Sequence, residues 1–129
     1  MTHYPDIRFR KDIDNSKLDM FVVVEPCRVE IVGPRLSLVI PYGYKTDFAS
    51  VPQWLWSIVP PHGRMTNAAV VHDFMYDNRV FETYLGPELA RAFADRIFLR
   101  NMLASGVKPA QARMFYWAVR MFGARWWRE

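Results

Sequence analysis

Residues Val70 to Asn78 read VVHDFMYDN: a histidine and an aspartate side by side, with a tyrosine four residues after the histidine. Ala68, Ala69, Val70 and Val71 lead into the pair, so it stands in a segment whose composition asks for burial. Burying a polar or charged side chain is costly unless it is hydrogen-bonded, paired or metal-bound. On a helix, residues three and four apart are neighbours, which stacks Tyr76 over His72 and places Ala68, Ala69 and Met75 on the same side. Asp73 then points about a hundred degrees away. Further along, Ala92, Asp95, Leu99, Met102 and Leu103 recur at helical spacing, so Asp95 interrupts an apolar stripe. A carboxylate in that position needs a partner, and His72 on the preceding antiparallel helix is the candidate.

These residue types in this pattern point to proton transfer. A carboxylate that accepts the imidazole Nδ1–H fixes the tautomer and raises the basicity of the other nitrogen. That is the requirement for a general base that deprotonates water or a hydroxyl. Asp73, aimed elsewhere, could hold a divalent cation that polarises the substrate, with Asp47 in the loop YKTDFAS as a further ligand. The same set has a structural reading. A histidine and an aspartate joined across two helices, with a tyrosine hydroxyl closing the network, can simply lock the helices together. Asp47 or Ser50 could equally cap a short helix near Val51-Pro52. His62 is read as a loop residue and His3 as part of the N-terminal stretch.

The elements that must position these groups fall into two halves. Phe21 to Glu25, Arg28 to Val32 and Leu36 to Ile40 are rich in β-branched residues, and Gly33-Pro34 punctuates the last two as a hairpin. From Pro41 to Pro52 the chain leaves the sheet as a loop or a last short strand, and Trp54 and Trp56 follow. Thr66 or Asn67 is the expected cap of a helix running to about Asn78, and Asn78 to Gly86 reads as a connection. Pro87 suits the first turn of a second helix that ends at Ser105-Gly106. Pro109 opens a third, which carries Ala110, Met114, Trp117, Ala118 and Met121 on one face before Gly123. The expected fold is α+β in one domain over residues 1–129: N-terminal antiparallel strands followed by a three-helix C-terminal half.

The composition sets bounds. With 129 residues, 51% apolar and 23% charged, the chain can bury a core, and its balance argues against global disorder. The lone Cys27 cannot pair within the chain and is read as a buried reduced thiol. No stretch approaches a membrane span, and MTHYPDIRFRKDIDN lacks the apolar run of a signal peptide, so a soluble protein made in a cytoplasm is expected. Net charge is +4, and between Arg79 and Arg128 nine Lys/Arg face three acids. No basic run is interleaved densely with aromatics, so this half is read as solvated surface rather than a nucleic-acid face. The tail ARWWRE is aromatic and basic. It is expected either to help dock a partner or to fold back onto the sheet.

The segments YGYKTDFASVP, AAVVHDFMY, RAFADRIFLRNM and YWAVRMFGARWW, taken in order, resemble a small family of phage and prophage proteins of unassigned function. That resemblance runs from about Tyr42 to Trp127 and implies a phage or prophage origin, with synthesis in the bacterial host cytoplasm. Locally, HDFMY is similar to the HDxxY helix of phospholipases A2. The resemblance implies His72 as base for water, Asp73 as a calcium ligand, and Tyr76 and Asp95 as the groups that orient His72. The glycine-rich calcium loop and the disulfides of those enzymes have no counterpart here. Two functions lead as expectations, ahead of a third, a host-directed inhibitor whose basic helices meet nucleic acid or an acidic protein. One is a metal-assisted hydrolase of an ester or related bond. The other is a non-catalytic virion component (tail or neck) or assembly protein, bound to other phage proteins through its C-terminal aromatic-basic helix.

Overall fold

The β-branched runs form two small antiparallel sheets. The computed structural model describes residues 9–11, 21–23, 27–32, 36–46, 55, 63–124 and 127. Strands β1 (Phe9–Lys11), β2 (Phe21–Val23) and β5 (Lys45–Thr46) make one sheet in the order β1-β2-β5. Its register pairs Phe9 with Val23 and Phe21 with Thr46. Strands β3 (Cys27–Val32) and β4 (Leu36–Ile40) form the expected hairpin, with Cys27 opposite Ile40 and an irregularity between Glu30 and Val32. Burial alternates as a one-sided sheet requires: Val29 and Ile40 are buried, while Arg28 and Val39 are exposed. After β4 the chain turns through Gly43, whose φ of 88° favours glycine, and Gly43 N–H donates to the Val23 carbonyl at 2.8 Å. That turn delivers Tyr44 and β5 to the edge of β2.

Among the described residues the helices that follow are α1 (Gly63–Asp77), the single turn α2 (Glu82–Leu85), α3 (Pro87–Ala104) and α4 (Pro109–Phe122). Helix α1 begins three to four residues before the expected cap. Thr66 and Asn67 lower helix propensity only slightly, and Asn67 is buried with Ala68 to Val71, so packing overrides the local preference. Its C-terminus closes with Arg79 in the left-handed region (φ 48°). There Val80 N–H donates to Met75 O and Arg79 N–H to Tyr76 O, the paired bonds of a Schellman ending. The connection from Asn78 to Gly86, expected to be irregular, contains α2, and Phe81 packs its ring against Phe93 at 5.6 Å. Helices α3 and α4 start at their prolines as expected. Helix α3 ends in a second Schellman pair through Gly106 (φ 90°).

The buried faces differ in part from the expected stripes. Helix α3 buries Ala90, Ala94, Asp95, Ile97, Phe98, Asn101 and Met102, leaving Leu103 largely exposed and Ala92 and Leu99 at the margin. Helix α4 buries Ala112, Phe115, Ala118 and Val119, and turns Ala110, Met114, Trp117 and Met121 to solvent. Two apolar stripes compete on α4. The buried one offers small alanines and a flat ring, which allow a closer approach of backbones than Trp117 and two methionines would. Cys27 lies in β3 with its side chain outside those described. Asp47, Ser50, Trp54, Trp56, His62 and His3 also lie outside the described residues.

The sheet is tied to α1 by side chains leaving β5. Thr46 Oγ1–H donates to Asp73 Oδ2 in a buried bond, Tyr44 OH donates to Asp77 Oδ2 at 2.6 Å, and the Tyr44 ring stands edge-on to Phe74 at 5.2 Å. Thr46→Val would leave a buried carboxylate oxygen short of a donor. It should lower unfolding stability by about 1–3 kcal/mol, against about 0.5–1 kcal/mol for Tyr44→Phe at its exposed bond, read from denaturant midpoints.

Candidate functional site

His72, Tyr76 and Asp95 meet as the sequence suggested. His72 and Tyr76 lie one turn apart on α1, and Asp95 projects from α3, which runs antiparallel to it. His72 Nε2 is 2.6 Å from Asp95 Oδ1, and Tyr76 OH donates to the same oxygen at 2.6 Å. The carboxylate is acceptor-only when ionised, so His72 Nε2 carries the proton in this bond. The expected contact was through Nδ1. The structure uses Nε2 because that nitrogen is the one far enough from the α1 backbone to reach across to α3. The imidazole is packed between the Tyr76 ring at 4.3 Å and the Phe98 ring at 4.6 Å. His72 and Asp95 are both 0% exposed.

The second carboxylate oxygen faces arginine. Arg120 Nη1 donates to Asp95 Oδ2 at 2.8 Å, and Arg91 Nη1 lies 3.5 Å from the same atom, four residues back on the same helix. Arg91 also donates to Tyr76 OH at 3.2 Å, to Val119 O at 3.1 Å and to Arg120 O at 3.3 Å. It thereby joins α1, α3 and the end of α4. Burial pushes the Asp95 carboxyl up. The bond and charge of His72, with the bonds from Tyr76 and Arg120, outweigh it and hold the group below its ordinary value. Burial, followed by the Asp95 charge, raises the Tyr76 phenol well above its usual range, so it stays a donor.

Two further residues close the site. Gly123 follows α4, and a Cβ there would stand 2.8 Å from Tyr76 OH and 2.5 Å from Val119 O, so only glycine fits. Trp127 is buried with its ring edge-on to Tyr76 at 5.1 Å. Its carbonyl accepts from Arg79 Nε at 2.8 Å, and its indole N–H donates to Glu82 at 3.3 Å. Trp127 thus packs on the helical network, and Trp126, the other residue of this tail expected to fold back, lies outside the described residues. Arg91, Arg120, Gly123 and Thr46 were not singled out from sequence as members of the site. Arg91 carried a signal, since it stands at i−4 to Asp95. Gly123 read only as a helix stop.

Asp73 lies apart from this network, on the side of α1 that faces Thr46. It is buried, and one of its oxygens accepts the Thr46 hydroxyl. Among the described residues no group of three or more His, Cys, Asp or Glu is placed to hold a metal ion. Asp47, the other expected ligand, lies outside the described residues.

Residues 21–119 match a family described as protein of unknown function (DUF1353), and the chain belongs to that family. It is also similar to two uncharacterized proteins of Sinorhizobium fredii (strain NBRC 101917 / NGR234). One, y4jT, is 34% identical over 91 residues, covering 67% of this chain and 24% of that protein. The other, y4iH, is 37% identical over 87 residues, covering 64% of this chain and 32% of that protein. The chain thus spans about a quarter to a third of the curated relatives it matches. No solved structure matches. The family span contains Thr46, His72, Asp73, Tyr76, Arg91 and Asp95 and stops before Arg120, Gly123 and Trp127.

Removing one partner of a buried charge pair leaves the rest uncompensated. Asp95→Asn should therefore cost about 3–5 kcal/mol in urea unfolding. Because Asp95 is depressed in the folded state, its contribution is complete above the ordinary carboxylate value, about 3.9, and is lost as pH falls through the lower folded value. Acid unfolding of the native chain below about pH 4 should lose this component, which Asp95→Asn lacks. Gly123→Ala should cost about 1–3 kcal/mol by displacing the Tyr76 hydroxyl, measured as a drop in Tm.

Proposed function

We propose that the chain is a non-catalytic binding module of phage or prophage origin, an assembly or virion component whose His72–Asp95–Tyr76 network is a clasp. The burial of the imidazole carries this reading. A general base must reach a water or hydroxyl at hydrogen-bond distance, yet His72 is 0% exposed and sandwiched between two rings. The donors around Asp95 come from α1, α3 and α4, which is what a helix-locking network requires. In y4jT and y4iH the similar segment is one part of a longer chain, as a portable binding domain would be. The phage assignment, and with it a host-cytoplasmic origin, rests on the ordered motifs from TDFASVP to ARWW.

A second reading is favoured by one observation. Asp95 holds Nε2 of His72 and Tyr76 binds the same oxygen, so the residues that the likeness of HDFMY to phospholipases A2 implies as orienting groups do meet the imidazole or its carboxylate. In that reading His72 is the base of an ester hydrolase, oriented by Asp95 and Tyr76. Asp73, with Asp47, would hold a divalent cation, calcium by the same likeness, to polarise the substrate.

A conservative variant separates the two. Glutamine can place a donor where Nε2 stands but cannot serve as a base. With a clasp, His72→Gln keeps most of the stability that His72→Ala loses, about 2–4 kcal/mol. The native chain, given calcium, then turns over neither nitrophenyl esters nor phospholipid vesicles. Calcium-dependent hydrolysis by the native chain that is abolished in a folded His72→Gln variant would overturn the clasp.

A further inference from the structure

Helix α4 carries two apolar stripes, and the fold consumes one. Ala112, Phe115, Ala118 and Val119 enter the core. On the opposite side Ala110, Met114, Trp117 and Met121 are exposed, Trp117 to 60% and Met121 to 71%. Their spacing of four, three and four residues is that of the a and d positions of a heptad. With Met114 and Met121 at a, and Ala110 and Trp117 at d, the position opposite the seam falls on Ala112 and Val119. Both of those are fully buried. The seam therefore faces squarely outward. Its flank positions on one side are Arg113, exposed, and Arg120, which is bonded to Asp95. Lys108 is exposed just before the helix, and α4 itself contains no acid.

We propose that this seam docks an amphipathic helix of another protein, one whose apolar stripe is flanked by glutamate or aspartate. The proposal rests on the binding-module reading and names the chemistry of its partner. Charge decides between the possible occupants. A second copy laid antiparallel would set Arg113 against Arg120 with no acid on either helix to offset them. A membrane-lying helix needs a broad apolar face, whereas beside the four-residue stripe α4 exposes one further large apolar side chain, Phe122, and is bordered by Arg113 and Arg120 on one flank and by the buried Ala112, Phe115, Ala118 and Val119 behind. An acidic helix meets both features: the seam accepts its apolar residues, its carboxylates face Arg113 on the flank, and Lys108 adds positive charge at the start of the helix. Trp117 is the rigid anchor, and the two methionines supply a surface that adapts.

The test uses the full chain and a labelled peptide of about four heptads with Leu at a and d and Glu at e and g, read by fluorescence anisotropy. Saturable binding is expected, weakened about tenfold or more by Trp117→Ala or Met121→Glu and weakened by added salt. Both positions are exposed, so unchanged thermal melts confirm intact folds. The same peptide with Lys for Glu should not bind. Equal binding of the Lys peptide, or no binding of either, overturns the proposal. So does capture on phosphatidylglycerol vesicles without peptide binding, or a dimer in sedimentation that Met121→Glu dissociates and the peptide does not. His72-dependent hydrolysis would overturn the non-catalytic reading alone. Failed peptide binding by a chain without hydrolysis would overturn the docking seam alone.

Discussion

The Asp95 carboxylate has no access to water, and an ionised carboxylate in that position must have both oxygens met by donors. That requirement organises the helical half. Oδ1 takes Nε2–H of His72 and the hydroxyl of Tyr76, which sets the rotation of α1 about its axis. Oδ2 takes Arg120, which fixes the last turn of α4 beside the start of α3. Arg91 spans the same gap and satisfies carbonyls at the end of α4, where a helix leaves acceptors without partners. The demands then pass outward. Tyr76 needs space for its hydroxyl, so Gly123 must lack a side chain, and its ring needs cover, which Trp127 provides. A left-handed Arg79 is an unfavourable residue at a helix ending. Its side chain offsets part of that cost by bonding the Trp127 carbonyl.

A buried histidine held by a carboxylate is chemically ambiguous, because the geometry that orients a base also makes a strong clasp. What differs is the surroundings. A catalytic dyad must leave a path for a reactant to the second ring nitrogen, whereas a clasp gains from excluding water, since low polarity strengthens each bond. The guanidinium groups matter here as well. Arg120 adds to the stabilisation of the Asp95 charge, in which the bond and charge of His72 are the larger part. Thr46 plays the matching part for Asp73 and draws the sheet onto the opposite flank of α1. Helix α1 is thus gripped from two sides through polar side chains placed one residue apart, His72 and Asp73.

Much of this was legible because helical spacing is a strong constraint. His72, Tyr76 and Asp95 could be joined from sequence, since two helices with a short connection must run antiparallel and a core-facing Asp needs a donor. The helix limits at Pro87, Ser105-Gly106, Pro109 and Gly123 were legible for a similar reason, as proline and glycine act through backbone geometry that tertiary packing rarely overrides. Three things were hidden. Which imidazole nitrogen bonds depends on the distance between helices, not on their order in the chain. The start of α1 depended on burial of Asn67, which outweighed its value as a cap. The core face of α4 could not be chosen from periodicity, because Ala110-Met114-Trp117-Met121 and Ala112-Phe115-Val119 are both regular stripes. Long-range members such as Arg120 and Gly123 gained their roles only once α4 was seated.

The two stripes of α4 have different consequences for how the molecule is built. The inward stripe is chosen by closeness: Ala112 and Ala118 let α4 approach until Arg91 reaches the Val119 and Arg120 carbonyls. Had the Trp117 side faced inward, the larger side chains would have held the helix off, and Asp95 would have lost Arg120, a loss no apolar contact replaces. The polar cluster therefore selects the orientation of α4, and the exposure of Met114, Trp117 and Met121 is its by-product. An exposed tryptophan and two methionines carry a risk of non-specific association that a sequence could remove with polar residues at no cost to the clasp. The exposure of that stripe thus follows from the seating of the polar cluster and adds nothing to the stability of this chain.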